Sequence, residues 1–96
     1  MVYEWNAAKA VANLRKHGVS FEDAATVFTD PLALTFPDPA HSWPERREIT
    51  IGHTKGQRLV FVSHSARGDR IRIISARPAT ARERRQYEED SSENGR

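Results

Sequence analysis

The sequence contains no cysteine, which excludes disulfide bonds, thiolate zinc sites and a cysteine nucleophile. Glycine-rich phosphate loops and the strained turn of a serine nucleophile are also absent. No apolar run approaches the length of a membrane span, and the first ten residues lack the pattern of a signal peptide. We therefore expect a cytoplasmic protein without a membrane partner.

The chain has 96 residues, of which 38% are hydrophobic and 29% charged. This length and composition are typical of one globular domain. The last nine residues, EEDSSENGR, show no periodicity and carry no large apolar side chain. We therefore predict a single domain over residues 1–90 and a disordered acidic tail over residues 91–96.

Positive charge is concentrated near the end of the chain. Residues 67–87 carry seven arginines against one Asp and one Glu, a balance of +5 in a chain whose total is +2. Guanidinium groups match the geometry of phosphate, so this segment favours an RNA or DNA backbone as the partner.

The first third of the chain has the pattern of a short strand followed by two helices. Residues 2–5 are apolar and aromatic, which suits a brief strand. Asn6 and Gly18 are suited to begin and end a first helix. Ser20 is suited to begin a second helix, which we expect to end at Asp30 before a proline.

Strands dominate the remainder of the chain. The pattern of apolar and polar residues predicts strands over residues 32–36, 47–51, 59–62 and 70–77, joined mostly by short turns. The third of these is apolar on both faces, which indicates a central position. Thr80 and Glu83 form a capping-box pattern that begins a last helix. The predicted fold is α+β: a short strand, two helices, a four-stranded and mainly antiparallel sheet, and a C-terminal helix.

A metal site is weakly indicated. Asp38 and His41 are three residues apart and could hold an ion, but such pairs are common by chance and the sequence does not place a third ligand. We therefore expect neither a metal nor any other cofactor.

The residue types suit RNA cleavage by attack of the ribose 2′-hydroxyl, which needs cations, a base and an acid. Arg47, Arg67 and Arg77 are candidate cations. The candidate bases are Glu45, His17 and His64, and the candidate acids are Tyr87 or a histidine.

Several of these residues also have a structural interpretation. Glu83 suits a helix cap, Tyr87 suits an anchor for the last helix, and His17 suits the end of the first helix. Arg77, which ends an isoleucine-rich strand, has no evident structural purpose. Trp43 is a candidate for stacking on a base.

Several segments together resemble the BrnT-like ribonuclease toxins. The N-terminal part matches in Trp5, Lys9, Asn13 and the run KHGVSF, and the middle matches in Asp38, His41, Glu45 and Arg46 or Arg47. The last part matches in the run RIRIISAR, with Glu83 and Tyr87 after it. The resemblance covers residues 3–88.

The resemblance implies a type II toxin with a RelE-like fold that cleaves mRNA without a metal and arrests translation. It also implies a cognate antitoxin, a toxin–antitoxin hetero-oligomer, and contact with operator DNA only through the antitoxin. Carried over to this chain, it implies Arg77, Glu83 and Tyr87 as catalytic residues, with Glu45 and His17 as further catalytic candidates. The candidates for binding RNA phosphate are Arg47, Arg67, Arg70, Arg72, Arg82 and Arg85.

Two further expectations follow. Strand alternation predicts that Arg77 faces the opposite way from Arg70 and Arg72. Since Arg77 is the candidate that stabilises the transition state, we expect Arg77→Ala to abolish growth arrest and to leave the fold intact. A non-catalytic RNA- or ribosome-binding module that uses residues 67–87 is the alternative function, and an inactive partner subunit is a third.

Overall fold

The computed structural model describes residues 2–94 and the side chains of residues 2–90. Five strands and three α-helices follow one another along the described chain, and two 3-10 helices, Thr26–Thr29 and Pro39–His41, flank the second strand. The strands and α-helices are β1 (Val2–Glu4), α1 (Ala7–His17), α2 (Phe21–Ala25), β2 (Leu34–Pro37), β3 (Glu48–His53), β4 (Leu59–Arg67), β5 (Arg70–Pro78) and α3 (Ala81–Asn94). The predicted α+β class is confirmed.

The caps of α1 are those that the sequence predicts. The side-chain oxygen of Asn6 accepts the backbone N–H of Lys9 at 3.0 Å. Gly18 has a φ of 70°, a left-handed conformation that glycine adopts without strain, and its N–H donates to the Leu14 carbonyl at 2.9 Å. Local chemistry therefore sets both ends of this helix.

The second helix is shorter than predicted. It begins after Ser20, whose hydroxyl accepts the N–H of Asp23, but the α-helical turns give way to a 3-10 helix at Thr26. The Thr26 hydroxyl donates to the Asp23 carbonyl at 2.6 Å, and the Thr29 hydroxyl donates to the Thr26 carbonyl at 2.7 Å. Such bonds compete with regular α-helical pairing, which accounts for the tighter last turn.

The sheet has five strands, not four, in the order β1-β5-β4-β3-β2. Strands β2 to β5 pair antiparallel as predicted, and β4 is central. The prediction of a four-stranded sheet was wrong because β1 adds a fifth strand, parallel to the first half of β5. The pairing residues of β1 and β5 are nearly seventy positions apart, and no local pattern specifies such a partner.

The two faces of the sheet are covered differently. Helices α1 and α2 pack on one face, and the core there includes Phe21, Val27, Val60, Val62 and Ile73. On the other face α3 covers only one end, where Tyr87 packs with Ile49, Ile51 and Leu59. We call the uncovered remainder of this second face the open face.

A β-bulge changes which side chains of β5 reach the open face. The register between β4 and β5 shifts at Ser63 and His64, so Arg72 pairs with Ser65 while Arg77 pairs with Phe61. Directly paired residues in a sheet point to the same face. The expectation that Arg77 faces away from Arg72 was therefore wrong, because the extra residue in β5 restores both arginines to the open face.

Asn13 attaches α1 to the part of β5 that β1 does not reach. Its amide nitrogen donates to the carbonyls of Val19 and Ala76, at 3.0 and 2.8 Å, and its oxygen accepts the N–H of Ala76 at 3.1 Å. The buried amide thus takes the place of a neighbouring strand. It fixes α1 beside the edge of the sheet.

Helix α3 is followed to Asn94, while residues 95 and 96 and the side chains beyond residue 90 lie outside the described residues. The predicted acidic tail over residues 91–96 therefore stays a prediction. Within residues 2–94, none of the helices combines the length and the apolar character that a membrane span requires.

Candidate active site

Three adjoining cavities run across the open face and around the edge of β5 beside α1. The first is lined by Lys9, Glu45, Arg47 and Arg72 among others, and the second shares Arg47 with it. The third shares Lys9 with the first and Ser75 with the second. We call this surface the basic cleft; its polar residues include Lys9, Lys16, His17, Asp38, His41, Glu45, Arg47, Arg72 and Ser75.

The carboxylate of Glu45 lies among the positively charged side chains of the cleft. It accepts a hydrogen bond from the Ser65 hydroxyl and lies 3.8 Å from a terminal nitrogen of Arg67. The Ser65 bond lowers the pKa of Glu45; burial opposes this shift, and Arg67, Arg72 and Arg47 support it. Glu45 is therefore an anion at neutral pH and a weak proton acceptor.

Arg47 has no ion-pair partner among the side chains of residues 2–90. Its charge nevertheless helps to lower the pKa of Glu45. Its Nε is buried and has no hydrogen-bond acceptor there. Its backbone is fixed, since the N–H donates to the Ser42 hydroxyl at 3.1 Å and the carbonyl accepts the N–H of Asp38 at 3.0 Å. A well-placed guanidinium with unused donors is suited to bind an anion.

The arginines at the β1 edge of the sheet are partly neutralised. Glu4 lies 3.8 Å from a terminal nitrogen of Arg70 and 3.6 Å from the Nε of Arg72. The Arg72 Nε is buried and makes no hydrogen bond within the described part of the chain. Arg72 lines the cleft together with Lys9 and Arg47 and contributes to its positive charge.

Arg77 is fully engaged with Glu83. Both terminal nitrogens of its guanidinium donate to the carboxylate, each at 2.8 Å. The pair raises the pKa of Arg77, and the bonds from Arg77 lower the pKa of Glu83. Arg77 also lies 4.0 Å from the centre of the Phe61 ring. The structure thus gives Arg77 the structural purpose that the sequence did not reveal.

Tyr87 lies at the end of the sheet that α3 covers and is buried there. Its hydroxyl donates to Asp30 at 2.8 Å and lies 3.2 Å from the Nδ1 of His53. Burial alone would raise the pKa of Asp30, but hydrogen bonds from the N–H groups of His53 and Leu32 and from Tyr87 lower it. None of the cavities of the basic cleft includes Tyr87.

The histidines fall into separate environments. His17, at the end of α1, lines the cavity beside Ser75. His64 is buried on the helix-covered face, where its Nε2 bonds the Thr50 hydroxyl at 2.7 Å and burial lowers its pKa. The sequence-based candidacy of His64 as a base is therefore wrong, because the strand turns it away from the cleft.

Two predicted phosphate-binding residues, Arg82 and Arg85, are exposed on α3 and line none of the three cavities of the cleft. Arg67 is exposed at the end of β4, beside Glu45. The cleft thus brings together His17, Glu45, Arg47 and Arg72. Arg67 and Arg77 lie at its margin.

Five polar residues of the cleft were not predicted as site residues: Lys9, Lys16, Asp38, His41 and Ser75. Asp38 and His41 were considered as metal ligands and as part of the family resemblance, but not as site residues, and they line the same cavity as Arg47 and Ser75. The described side chains contain no group of three or more metal-ligating residues. Lys9 lies on α1, far in sequence from the arginine-rich segment. For Asp38 and His41, the signal available in the sequence was their spacing of three residues.

Two comparisons with known proteins point to the same family. Residues 5–83 match the family model of the ribonuclease toxin BrnT of type II toxin–antitoxin systems. The crystal structure of the Brucella abortus ribonuclease toxin BrnT superimposes with a TM-score of 0.65 at 26% identity, covering 83% of this chain and 99% of that one. No curated protein sequence matches the chain.

A type II system implies a cognate antitoxin as a protein partner. The resemblance drawn from the sequence is confirmed, and the chain belongs to the BrnT family of ribonuclease toxins.

Proposed function

We propose that this protein is a metal-independent endoribonuclease toxin that cleaves mRNA in the cytoplasm, arrests translation and is neutralised by its antitoxin. The observation that carries this proposal is Arg47, a guanidinium in a concave basic surface that has no carboxylate partner among residues 2–90. RNA phosphate is the anion that fits a ribonuclease family.

Charge pairing on the open face supports a division of roles. Arg77 is paired with Glu83, Arg67 with Glu45, and both Arg70 and Arg72 with the single carboxylate of Glu4. Arg47 and Arg72 retain buried Nε donors without hydrogen bonds to described residues, and Lys9 lines the same cavity. In this proposal Arg47 and Arg72 bind the scissile phosphate and stabilise the charge of its transition state. Arg67, Arg70, Arg82 and Arg85 guide the flanking RNA backbone.

The reaction class follows from the substrate. The ribose 2′-hydroxyl supplies the nucleophile, so the protein has to provide cations, a proton acceptor and a proton donor. Cations and histidines occur together in the cleft. The products would be a 2′,3′-cyclic phosphate and a 5′-hydroxyl.

The remaining predicted catalytic residues take supporting roles in the proposal. The ion pair of Arg77 and Glu83 joins the start of α3 to the sheet beside the cleft. Tyr87, one turn further along α3, packs on the apolar side chains of β3 and β4. His17 is a candidate proton donor for the leaving oxygen because it borders Ser75.

Trp43 is proposed to stack on a nucleobase. Its side chain is 90% exposed, and it follows His41 closely in the segment that leads to Arg47. Stacking of a base on an aromatic ring contributes about 1–3 kcal/mol. An exposed indole beside a phosphate site thus adds affinity for single-stranded RNA.

Further parts of the proposal concern fold type and assembly. A RelE-like arrangement is consistent with the five-stranded sheet and its uncovered face. The antitoxin would form a hetero-oligomer with this chain and would contact operator DNA on behalf of the complex.

The proposal is tested with purified protein, free of antitoxin, and an end-labelled single-stranded RNA in excess chelator. Cleavage to products that end in cyclic phosphate is the expected result, and the same RNA carrying 2′-O-methyl groups should stay intact. A salt-sensitive gel shift with uncut RNA would instead support the binding module. If the RNA were neither cleaved nor bound, both functions would be contradicted.

A further inference from the structure

Proton transfer in the cleft needs an acceptor that is not already committed to another group. Glu45 is bonded to Ser65 and surrounded by arginines, and both oxygens of Glu83 accept from Arg77. The hydroxyl of Tyr87 donates to Asp30, outside the cleft. Glu45, Glu83 and Tyr87, which the sequence suggested as acid or base, are therefore each engaged in a hydrogen bond with another residue of the protein.

Asp38 and His41 form a pair on the wall of the cleft. The Nδ1 of His41 lies 3.0 and 3.2 Å from the two carboxylate oxygens of Asp38, which leaves Nε2 on the far side of the ring. The His41 side chain is 67% exposed and that of Asp38 20% exposed. An imidazole oriented by a carboxylate through one nitrogen presents the other to a substrate.

Backbone contacts hold this pair beside Arg47. The N–H of Asp38 donates to the Arg47 carbonyl at 3.0 Å, and the Ser42 hydroxyl donates to the Asp38 carbonyl at 2.7 Å. Ser42 also accepts the N–H of Arg47 at 3.1 Å. The segment is thus closed on itself, with the imidazole and the guanidinium lining one cavity.

We propose that His41 is the general base of the cleavage reaction and that Asp38 is its positioning residue; this inference rests on the proposed function. The Nε2 of His41 takes the proton of the 2′-hydroxyl while the 2′-oxygen forms its bond to phosphorus. The bond between phosphorus and the 5′-oxygen breaks, and that oxygen takes a proton from His17 or from water. The imidazolium then returns its proton to solvent.

The charged groups that face His41 in its cavity are Asp38 and Arg47. Asp38 stabilises the imidazolium that forms during the step. Arg47 is placed to bind the phosphate on the 3′-oxygen of the ribose whose 2′-hydroxyl reacts, so base and phosphate ligand serve the same nucleotide.

The test uses His41→Ala in the single-turnover cleavage of the labelled RNA. The rate should fall by about a hundredfold or more, and added imidazole should restore at least a tenth of it. Affinity for a 2′-deoxy analogue of the RNA should stay within about threefold of wild type, because the surrounding cations are unchanged. Asp38→Asn should lower the maximal rate and leave KM nearly constant.

His53→Ala is the matched control, since His53 lies outside the cleft beside Tyr87. It should cleave at the wild-type rate with no effect of imidazole. If His41→Ala were as active as the wild-type protein, or if imidazole did not restore its lost activity, the inference about His41 would be overturned. The proposed function would still stand in that case, provided that the wild-type protein cleaves the RNA. Absence of cleavage by the wild-type protein would overturn the proposed function itself.

Discussion

Arg77 and Glu83 form a bidentate ion pair with both nitrogen–oxygen distances at 2.8 Å. The same carboxylate accepts the N–H of Thr80 at 2.9 Å, while the guanidinium lies over the ring of Phe61. One pair thus joins the last strand, the first turn of α3 and the open face. An arginine held in this way contributes to the fold before it contributes to chemistry.

The first prediction concerns the stability that this pair provides. Arg77→Ala should lower the free energy of unfolding by about 1–2 kcal/mol, because it removes two charge-assisted hydrogen bonds and leaves Glu83 half-paired. Urea denaturation measures the change, and a double-mutant cycle with Glu83→Ala isolates the coupling. Arg84→Ala, at an exposed position of the same helix, is the control. Equal stability of Arg77→Ala and Arg84→Ala would contradict this role.

The second prediction concerns acid. Hydrogen bonds from Arg77 lower the pKa of Glu83 below its ordinary value of 4.5. The folded state then binds fewer protons than the unfolded state, so this stabilisation is complete above pH 4.5 and is lost as pH falls through the lower folded-state pKa. Glu83→Gln should be less stable than wild type at pH 7, and the difference should shrink at pH 3. A difference that does not change with pH would argue against the pair as its source.

The third prediction concerns Asn13, which joins α1 to the edge of β5. Asn13→Ala should cost about 2–4 kcal/mol in unfolding free energy, because it leaves the buried N–H and carbonyl of Ala76 without partners. Asn6→Ala removes only a helix cap and should cost about 1 kcal/mol. Equal destabilisation of Asn13→Ala and Asn6→Ala in thermal denaturation would contradict this role of Asn13. Cleavage should also weaken in Asn13→Ala, since α1 carries Lys9 and His17 into the cleft.

The parts of the fold that the sequence specified are local. Asn6, Ser20 and Thr80 are helix caps whose partners lie three residues away, so their spacing alone predicts the helix starts. The pairing of β1 with β5 and the bulge in β5 depend on distant contacts that no local pattern encodes.

The site shows the same division. Glu83 was identified as a cap and Arg77 as a strand end, but their pairing across the intervening turn appears only in three dimensions. Asp38 and His41 were visible as a pair in the sequence. Their place beside Arg47 follows from the contact of the loop with the start of β3.

The fourth prediction separates structure from catalysis at Tyr87. Tyr87→Phe keeps the apolar contact with Ile51 and Leu59 but removes the hydroxyl that donates a hydrogen bond to Asp30. We expect the unfolding free energy to fall by about 1–2 kcal/mol, with an unchanged cleavage rate well below the melting temperature. A large loss of rate with unchanged stability would show that the hydroxyl takes part in the reaction.

The fifth prediction compares two adjacent arginines, Arg46 and Arg47. Arg47 lines two cavities of the basic cleft, whereas Arg46 is exposed and lines a separate cavity with Glu48 and Ala66. The two substitutions remove the same charge from neighbouring positions, so any difference between them reports on the cleft and not on net charge.

The most direct measurement is kcat/KM for RNA cleavage in excess chelator by Arg47→Ala and Arg46→Ala. Arg47→Ala should lose about a hundredfold or more, as expected when a preorganised donor to the transition state is removed. Arg46→Ala should remain close to wild type, and Arg47→Lys should recover only part of the loss because an ammonium cannot form the bidentate contact. Equal activity of Arg47→Ala and Arg46→Ala would contradict the assignment of the basic cleft as the active site.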